Sequence, residues 1–347
     1  MHKMKKIAAL VAASCAFVAA DASAWGYQGH RVVGAIADQL LKGSKAELRL
    51  KSLLLPGETL ESISVWADNA KGSYNGSVVT QEMTDYTNAH PKHQEYHYTD
   101  IPFQNAKYTD GAVGAFEHDI VQTMKQAIAV LQGKTDPANN PRGFTPRQAL
   151  LVLTHLAGDI TQPLHVGAPY LNQAGQFAVP DRADQYAIPD TPAAATAPFV
   201  DLRGGNDLVI EDKSPLAPGA EKRNPRALHS YWDSAVVEYA MKRVSTKTPA
   251  EFAQAIITGK PPVAPTQGEV TSWPYQWAND TLQVSKAAYV GLQPGARTSI
   301  TSRDGKAQTK WLVNVPDNYA EPSSAIASEQ LVKGGYRLAQ LLQAVLN

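Results

Sequence analysis

The amino-acid sequence predicts a mainly α-helical protein, built as one helical bundle with short β-strands and long loops. Apolar residues recur every three or four positions along most of the chain, as they do on the buried face of a helix. The 347 residues are 44% hydrophobic, which is enough for one large core. We find no internal repeat and no long linker in the sequence, so we expect a single domain.

The first 24 residues have the features of a cleaved signal peptide. Three lysines precede an apolar stretch over residues 7–20, which is too short to span a membrane comfortably. The small residues Ala22-Ser23-Ala24 then form a cleavage site. We therefore expect export to a periplasm or to the cell exterior, no membrane association after cleavage, and one domain over residues 25–347.

Charge and cysteine content restrict the chemistry of the mature chain. Loss of three lysines and Asp21 with the signal peptide reduces 32 basic and 32 acidic side chains to 29 and 31. A broadly basic surface that binds nucleic acid is therefore not expected, and the near-neutral surface is compatible with a monomer. The only cysteine, Cys15, also leaves, so a metal site would have to use histidines, carboxylates and backbone atoms.

The first half of the chain reads as five helices with apolar residues at helical spacing. Ser44 caps the second helix, and Pro163 ends the fifth. The residue pattern of Glu95–Asp100 alternates as in an extended strand. Such a strand would place the side chains of His97 and Thr99 on one face. The predicted helices are Gln28–Lys42, Ser44–Leu54, Leu60–Lys71, Ala112–Gln132 and a segment from Thr145 towards Ile160.

The second half begins with a loop-rich segment. Residues 167–222 are rich in Pro, Ala, Asp and Gly and predict a long loop with two short strands. Asn224-Pro225 opens a helix that continues to about Arg243. Two long helices, Thr271–Leu292 and Ser324–Leu346, enclose a strand-like segment at Trp311–Val313.

Two His/Asp pairs are the strongest indication of a metal site. His155 and Asp159 are four residues apart in a predicted helix and share one face, and His229 and Asp233 repeat this spacing. One such pair alone favours a surface salt bridge, but two pairs together with His165 favour ligands that converge in a bundle core. Three or four nitrogen and oxygen ligands with an open position are typical of catalytic zinc.

The start of the mature chain, Trp25-Gly-Tyr-Gln-Gly-His30, offers a further ligand set. A deprotonated α-amino group and the first carbonyl oxygen can chelate a metal ion, and His30 could complete the site. Removal of the signal peptide would then activate the protein, because the nitrogen of Trp25 cannot ligate while it belongs to an amide.

Two further segments hold residues for which a functional and an ordinary interpretation both stay open. Asp68 and Lys71 lie about one helical turn apart and could be solvated helix residues. His97 could be a metal ligand or a buried histidine with a satisfied hydrogen bond. We interpret the remaining histidines as surface residues, namely His90, His93 and His118.

In this order the segments resemble the S1/P1 nuclease family, zinc-dependent exported nucleases that prefer single strands and also act as 3′-nucleotidases. The similarity covers the whole mature length. It implies a fold of the zinc phospholipase C and P1 nuclease type. Fungal and plant members carry disulfides, whereas this mature chain has no cysteine, which suggests a bacterial type. The motifs are WGxxGH at Trp25–His30, WAD at Trp66–Asp68, His97, HxxGDxxQPLH at His155–His165, GGN at Gly204–Asn206, LHxxWD at Leu228–Asp233 and a final helix from Gly335.

The resemblance implies three zinc ions per chain. The first would bind Asp68, His97, His155 and Asp159; the second Trp25, His30 and bridging Asp159; the third His165, His229 and Asp233. A hydroxide bridging the first two ions would attack phosphorus and leave 5′-phosphorylated products. This mechanism gives Asp68 and Asp159 catalytic roles, and Lys71 would stabilise negative charge in the transition state.

The resemblance also implies three substrate-binding residues. Tyr98 would stack on a base, Asp100 would bond the edge of that base, and Asn206 would donate a hydrogen bond near the cluster. An aromatic platform accepts any base, and the base must first leave its stack. We therefore expect single-stranded DNA, RNA and nucleotides as partners.

Two other functions stay open at this point. A zinc phospholipase C or a broad-specificity phosphodiesterase could use the same ligands, although Tyr98 and Asp100 favour nucleotides. A periplasmic zinc-binding protein without catalysis is the second alternative. Such proteins often carry His-rich tracts, and this sequence has none.

Overall fold

A computed structural model describes residues 25–72, 76–210, 226–301 and 305–346 of the chain. Helices account for most of its regular structure, and a π-helical turn, Tyr231–Val236, joins the helix Leu228–Ser230 to the helix Val237–Arg243. The α-helices are α1 (Tyr27–Leu41), α2 (Lys45–Leu50), α3 (Leu60–Ile63), α4 (Trp66–Asn69), α5 (Gln81–Ala89), α6 (Ile120–Leu131), α7 (Pro146–Asp159), α8 (Leu228–Ser230), α9 (Val237–Arg243), α10 (Pro249–Ile257), α11 (Trp273–Tyr289) and α12 (Ala320–Val345).

The core forms where α1, α7 and α12 pack against one another. Gly335 allows α12 to approach α1 closely, because a Cβ atom there would lie 2.4 Å from the side chain of Ile36. Thr145 caps α7 by accepting a hydrogen bond from the Gln148 backbone at 3.1 Å. Every residue of α7 from Ala149 to Asp159 is buried, so this helix crosses the interior and carries its polar side chains there.

The strands are short, and those in the described part of the chain form three small sheets. β1 pairs in parallel with β2, β5 lies between β3 and β4, and the third sheet has the order β7-β6-β9-β8. The strands are β1 (Ile101–Pro102), β2 (Gly167–Ala168), β3 (Tyr170–Asn172), β4 (Tyr186–Ala187), β5 (Phe199–Asp201), β6 (Leu208–Ile210), β7 (Arg226–Ala227), β8 (Gln293–Thr301) and β9 (Ala307–Asn314). The β1–β2 pair joins the segment after His97 to the segment after His165.

The predicted mainly α-helical fold is confirmed, but several boundaries differ. The helix expected over Ala112–Gln132 begins only at Ile120. The Asp119 carboxylate caps it by accepting hydrogen bonds from the backbones of Val121 and Gln122 at 3.0 and 3.1 Å. The helix expected over Leu60–Lys71 is divided into α3 and α4.

Other differences concern strands and short helices. The strand expected over Glu95–Asp100 is wrong at its start, because His93–His97 forms a 3₁₀-helix. The predicted helix start at Asn224-Pro225 lies outside the described residues. Helices α5 and α10 and the hairpin β8–β9 were not predicted. Within the described ranges, no helix combines the length and the apolar character needed to cross a bilayer.

His90 and His93 are buried, so their interpretation as surface residues is wrong. His90 lies between the rings of Tyr86 and Phe144, with centroids 4.7 and 4.8 Å away. Burial, followed by the positive charge of Arg142, lowers the pKa of His90 to about 4. The imidazole of His90 is therefore neutral in the folded protein at pH 7.

We expect His90 to make stability depend on pH between about 6.5 and 4. In that window the unfolded chain binds a proton at His90 and the folded protein does not, so stability is lost as the pH falls. Urea unfolding at pH 7 and pH 4.5 should show a loss larger by about 2 kcal/mol in the wild type than in His90→Gln. Equal losses in the two proteins would show that His90 does not contribute.

Candidate metal centre

The last turn of α7 brings a histidine and a carboxylate into the core. His155 Nε2 lies 3.2 Å from Asp159 Oδ2, as expected for residues four apart on one helix face. Between them, Gly158 allows His30 to approach, because a Cβ atom there would lie 2.7 Å from His30 Nδ1. The rings of His30 and His155 stack at 3.8 Å. A glycine at this position is therefore required for the close packing of α1 on α7.

Two overlapping groups of possible ligands form around this turn. His30, His155 and Asp159 make one group, with His30 Nε2 at 3.1 Å from Asp159 Oδ1. Asp68, His97 and His155 make the other, with His155 Nε2 at 3.0 Å from His97 Nδ1 and 3.5 Å from Asp68 Oδ1. Asp159 Oδ2 also lies 2.9 Å from His97 Nδ1. The two groups are thus contiguous, and the Asp159 carboxylate reaches both of them.

The third group consists of His165, His229 and Asp233. The Nε2 atoms of the two histidines are 3.0 Å apart, and His229 Nε2 lies 3.7 Å from Asp233 Oδ2. Gln162 fixes this carboxylate by donating a hydrogen bond to Asp233 Oδ1 at 2.7 Å. The geometry leaves one oxygen of Asp233 directed at the two histidines.

Backbone carbonyl groups orient three of the histidine rings. His155 Nδ1 lies 2.7 Å from the Ser64 oxygen, His165 Nδ1 lies 2.7 Å from the His97 oxygen, and His229 Nδ1 lies 2.8 Å from the Gly204 oxygen. A carbonyl oxygen accepts the Nδ1 proton in each case. The opposite nitrogen, Nε2, therefore presents a lone pair, which is the arrangement found in metal-binding histidines.

Several buried polar atoms of the described residues lack a hydrogen-bond partner at this centre. They are both ring nitrogens of His30, Asp159 Oδ1 and Asp233 Oδ2. His30 Nε2 and Asp159 Oδ1 lie 3.1 Å apart, but not in hydrogen-bond geometry. Unsatisfied buried polar atoms are costly, so their concentration at one place indicates an occupant that they bind. Imidazole nitrogens and carboxylate oxygens are donors suited to zinc, and the residues present therefore fit this metal.

The electrostatics of the histidines agree with metal binding. Burial lowers the pKa values of His97 and His165 to about 3 and that of His229 to about 4. Burial and then the positive charge of His155 also lower the pKa of His30. Neutral imidazole is the form that ligates metal ions, so these nitrogens stay available in mildly acidic solution.

The pKa shifts of His155 and of the carboxyl groups indicate where a bound cation would stabilise the centre. Burial lowers the pKa of His155, but the charges of Asp159 and Asp68 outweigh it and raise the value. Burial raises the pKa of Asp159, but the charge of His155 outweighs this and holds it well below its usual range. Burial, together with the negative charges of Asp68 and Asp159, raises the pKa of Asp233 well above the usual range. A cation beside each carboxylate would stabilise its ionised form.

Trp25 is fully buried next to the third group. Its indole donates a hydrogen bond to Thr161 Oγ1 at 3.2 Å, and the Gly26 backbone donates one to the backbone carbonyl oxygen of Asp233 at 2.7 Å. These contacts fix the backbone at Trp25 and Gly26 between the residues that follow α7 and the segment that carries Asp233. The coordination of metal by the amino group and carbonyl of Trp25 stays a prediction.

Lys71 places a positive charge beside the possible ligand Asp68. Its ammonium group lies 2.9 Å from Asp68 Oδ1, and its side chain is 25% exposed. Burial raises the pKa of Asp68, but the charges of Lys71 and His155 outweigh it and hold the carboxyl ionised. Lys71 thus both stabilises a possible ligand and reaches the solvent-accessible side of the cluster.

The predicted substrate residues lie beside the centre along the chain. Tyr98 directly follows His97, is half-buried, and packs its ring against Phe116 at 5.7 Å. Asp100 is 8% exposed, and burial together with the charge of Asp201 raises its pKa well above the usual range. Asn206 donates its side-chain amide to the Arg203 oxygen at 2.9 Å within its own loop. The substrate contacts of these residues stay predictions.

A buried ion cluster that the sequence analysis did not identify supports the GGN loop. Asp207 is fully buried and accepts hydrogen bonds from Arg203 Nε at 2.8 Å and from Lys310 Nζ at 2.7 Å. Lys310 lies on β9, far away in sequence. Gly204 of this loop has a positive φ of 57°, which a glycine adopts without strain, and its oxygen orients His229. The cluster therefore positions one ring of the third group.

Comparisons with known proteins point in the same direction as the geometry. The S1/P1 Nuclease family model matches residues 25–347. Three relatives in Arabidopsis thaliana align over most of their length. Endonuclease 2 is 26% identical over 95% of this chain and 93% of its own, and Endonuclease 4 is 23% identical over 93% and 89%. Endonuclease 1 is 21% identical over 93% and 87%.

Proposed function

Because the chain belongs to the S1/P1 nuclease family and is a hydrolytic nuclease, we propose that it is an exported endonuclease for single-stranded DNA and RNA. It releases 5′-phosphorylated products and also acts as a 3′-nucleotidase. One observation carries this proposal: eight buried His and Asp side chains converge from separate segments into three groups that could each hold a metal ion. The predicted signal peptide supports export.

Three zinc ions per chain are part of the proposal. When bound, zinc supplies Lewis acidity, which ionises a water molecule near neutral pH and neutralises charge on a phosphate. The donor atoms support zinc at each group, and the unpartnered buried atoms support it at the groups that contain His30 and Asp233. We assign the first ion to Asp68, His97, His155 and Asp159, the second to Trp25, His30 and Asp159, and the third to His165, His229 and Asp233.

Residues of the chain hold this chemistry in place. The two oxygens of Asp159 face His30 at 3.1 Å and His97 at 2.9 Å, so one carboxylate can serve both adjoining ions. Gln162 fixes Asp233, and the Gly204 oxygen fixes the ring of His229. These contacts preorganise the donors, which reduces the reorganisation required during the reaction.

Lys71 has a separate role in the proposed reaction. A phosphodiester gains negative charge on its oxygens as the bond to the leaving oxygen breaks. The Lys71 ammonium group, 2.9 Å from Asp68, places a positive charge at the edge of the centre where these oxygens would lie.

Tyr98 and Asp100 support a nucleotide rather than a lipid substrate. A half-buried ring next to a metal ligand gives an unpaired base a stacking surface. Asp100, two residues after Tyr98, places a carboxyl group close to this ring in sequence, and its oxygens can accept hydrogen bonds from a base edge. Bases in a duplex are stacked and paired and cannot reach this surface, so single strands are preferred.

We expect Tyr98→Ala to lower kcat/KM on a single-stranded oligonucleotide by roughly 10- to 100-fold, since stacking of one base contributes about 1–3 kcal/mol. Tyr98→Phe keeps the ring and should stay within about twofold of the wild type. Steady-state kinetics on the single-stranded oligonucleotide give kcat/KM of both variants and of the wild type for this comparison. Similar rates for Tyr98→Ala and Tyr98→Phe would exclude base stacking at this position.

The proposed function is tested with the chain that begins at Trp25. The substrates are a single-stranded oligonucleotide, the matched duplex and phosphatidylcholine, each with zinc, with a chelator and with zinc restored. We expect chelator-sensitive cleavage of the single strand to 5′-phosphorylated products, and slower cleavage of the duplex. Hydrolysis of phosphatidylcholine without cleavage of nucleic acid would instead favour a phospholipase, and no hydrolysis would favour a non-catalytic zinc protein.

A further inference from the structure

A groove with a volume of about 800 Å³ lies along α6, outside the three groups of possible metal ligands. Its walls come from residues 89–96, from α6 and from the segment over residues 134–142. Neither the proposed catalytic chemistry nor the base-stacking surface uses this groove.

The lining of the groove is strongly basic. Lys92, Lys125, Lys134 and Arg142 line it, against one carboxylate, that of Glu117. The three lysines are exposed. The mature chain as a whole has a slight excess of acidic side chains, so four cations against one anion are a local concentration of positive charge. Such a groove attracts a chain of phosphates.

Arg142 is held in a fixed orientation at the wall of the groove. Its guanidinium donates hydrogen bonds to Gln126 Oε1 at 2.7 Å and to the backbone carbonyl oxygen of Glu117 at 3.1 Å. Its central carbon lies 5.0 Å from the centre of the Tyr96 ring. The arginine is therefore preorganised, which lowers the entropic cost of binding an anion.

A line of aromatic rings connects the groove with the base-stacking residue Tyr98. The Tyr98 ring packs on Phe116 at 5.7 Å, and Phe116 packs on His118 at 5.4 Å. His118 then contacts Tyr96 at 6.4 Å, within the groove. The Glu95 carboxylate, which could repel phosphates here, is paired with His118. A strand with one base at Tyr98 could therefore continue along these rings into the groove.

We propose that this groove binds the phosphodiester backbone of a single strand, next to the nucleotide held at Tyr98. The inference rests on the proposed nuclease function and adds a second contact region for long substrates. The lysines contact phosphates and carry no base preference, since phosphate contacts are independent of sequence. A dinucleotide is too short to occupy both Tyr98 and the groove, so the groove favours long single strands over dinucleotides.

The test is a triple variant, Lys92→Gln, Lys125→Gln and Lys134→Gln, with zinc-loaded protein. The matched control is Lys42→Gln, Lys247→Gln and Lys260→Gln, which removes three exposed lysines that do not line the groove. Both proteins and the wild type are assayed on a 20-nucleotide single strand and on a dinucleotide at several salt concentrations. Binding of a labelled, cleavage-resistant phosphorothioate 20-mer is measured in parallel.

We expect the groove variant to lose about tenfold in kcat/KM on the 20-mer at low salt and to be unchanged on the dinucleotide. The plot of log kcat/KM against log salt concentration should become less steep by about 2, since each contact to a single strand contributes about 0.7. The control variant should behave as the wild type on both substrates.

Three results would overturn the groove proposal. They are an unchanged groove variant, an equal loss on both substrates, and an equal loss in the control variant. If the wild type cleaves neither substrate, the proposed nuclease function is wrong. Binding of the phosphorothioate 20-mer then tests the groove proposal independently of cleavage. Weaker binding by the groove variant than by the control would support the groove, and equal binding would contradict it.

Discussion

Asp159→Asn is expected to abolish nuclease activity, with a loss of roughly a thousandfold or more. The Asp159 carboxylate lies within 3.2 Å of His30, His97 and His155, so that it reaches both contiguous groups. Substitution of residues that only orient metal ligands already costs about 10- to 100-fold. A neutral amide at the position of the carboxylate should cost more, because it supplies no negative charge to either metal ion.

The measurement combines kcat/KM on single-stranded DNA with zinc content and thermal unfolding. Asp184→Asn is the matched control, because this carboxylate is 69% exposed and pairs with nearby Arg182 at the surface. We expect Asp159→Asn to retain a folded structure while it loses zinc and activity together. Full activity in the folded variant would show that the reaction does not depend on a carboxylate shared by two ions.

A single extra residue before Trp25 is expected to lower activity by about 100-fold or more and to remove one zinc ion. The backbone at Trp25 is fixed by a buried indole and by the hydrogen bond that the Gly26 backbone donates to the backbone carbonyl oxygen of Asp233. An added residue changes the α-amino group into an amide, which no longer ligates a metal ion through that nitrogen. The side chains of all possible ligands stay the same.

Two proteins test this expectation, one that begins at Trp25 and one that begins at Ala24, each released from a fusion by a protease. Zinc content, activity and unfolding temperature are compared after identical zinc loading. A matching zinc content and rate would contradict ligation by the amino terminus and would leave the side-chain groups unaffected. A lower zinc content only in the longer protein would support activation by signal cleavage.

The sequence predicted the local parts of this centre well. Spacing alone placed His155 and Asp159 on one face of a helix, and the structure separates their ligand atoms by only 3.2 Å. The same rule placed His229 near Asp233, although a π-helical turn follows His229 in place of regular α-helix. Such pairs are predictable because backbone geometry over one turn determines which side chains are neighbours.

Contacts between distant segments were not predictable in this way. Lys310 and Asp207 form a buried ion pair because β6 and β9 are parallel neighbours, with Leu208 opposite Trp311. No periodic pattern within either strand indicates its partner. The burial of His90 was not predictable for the same reason, because aromatic neighbours from two separate segments bury it.

The predicted boundaries of helices and strands were wrong where a single side chain determines the local structure. The pattern of apolar residues continued back to Ala112, but the capping carboxylate of Asp119 starts the helix at Ile120. His97 ends a 3₁₀-helix instead of lying in a strand, and Tyr98 is the first extended residue. The position of Tyr98 next to His97 is unaffected, because the two residues are adjacent in sequence.

The zinc content of the purified chain that begins at Trp25, measured by plasma mass spectrometry together with its activity on single-stranded DNA, tests the metal centre most directly. We expect three zinc ions per chain and activity that disappears with the metal on chelation and returns with it. Fewer than two ions per chain, or full activity after complete removal of zinc, would contradict a nuclease built on these three groups of His and Asp side chains.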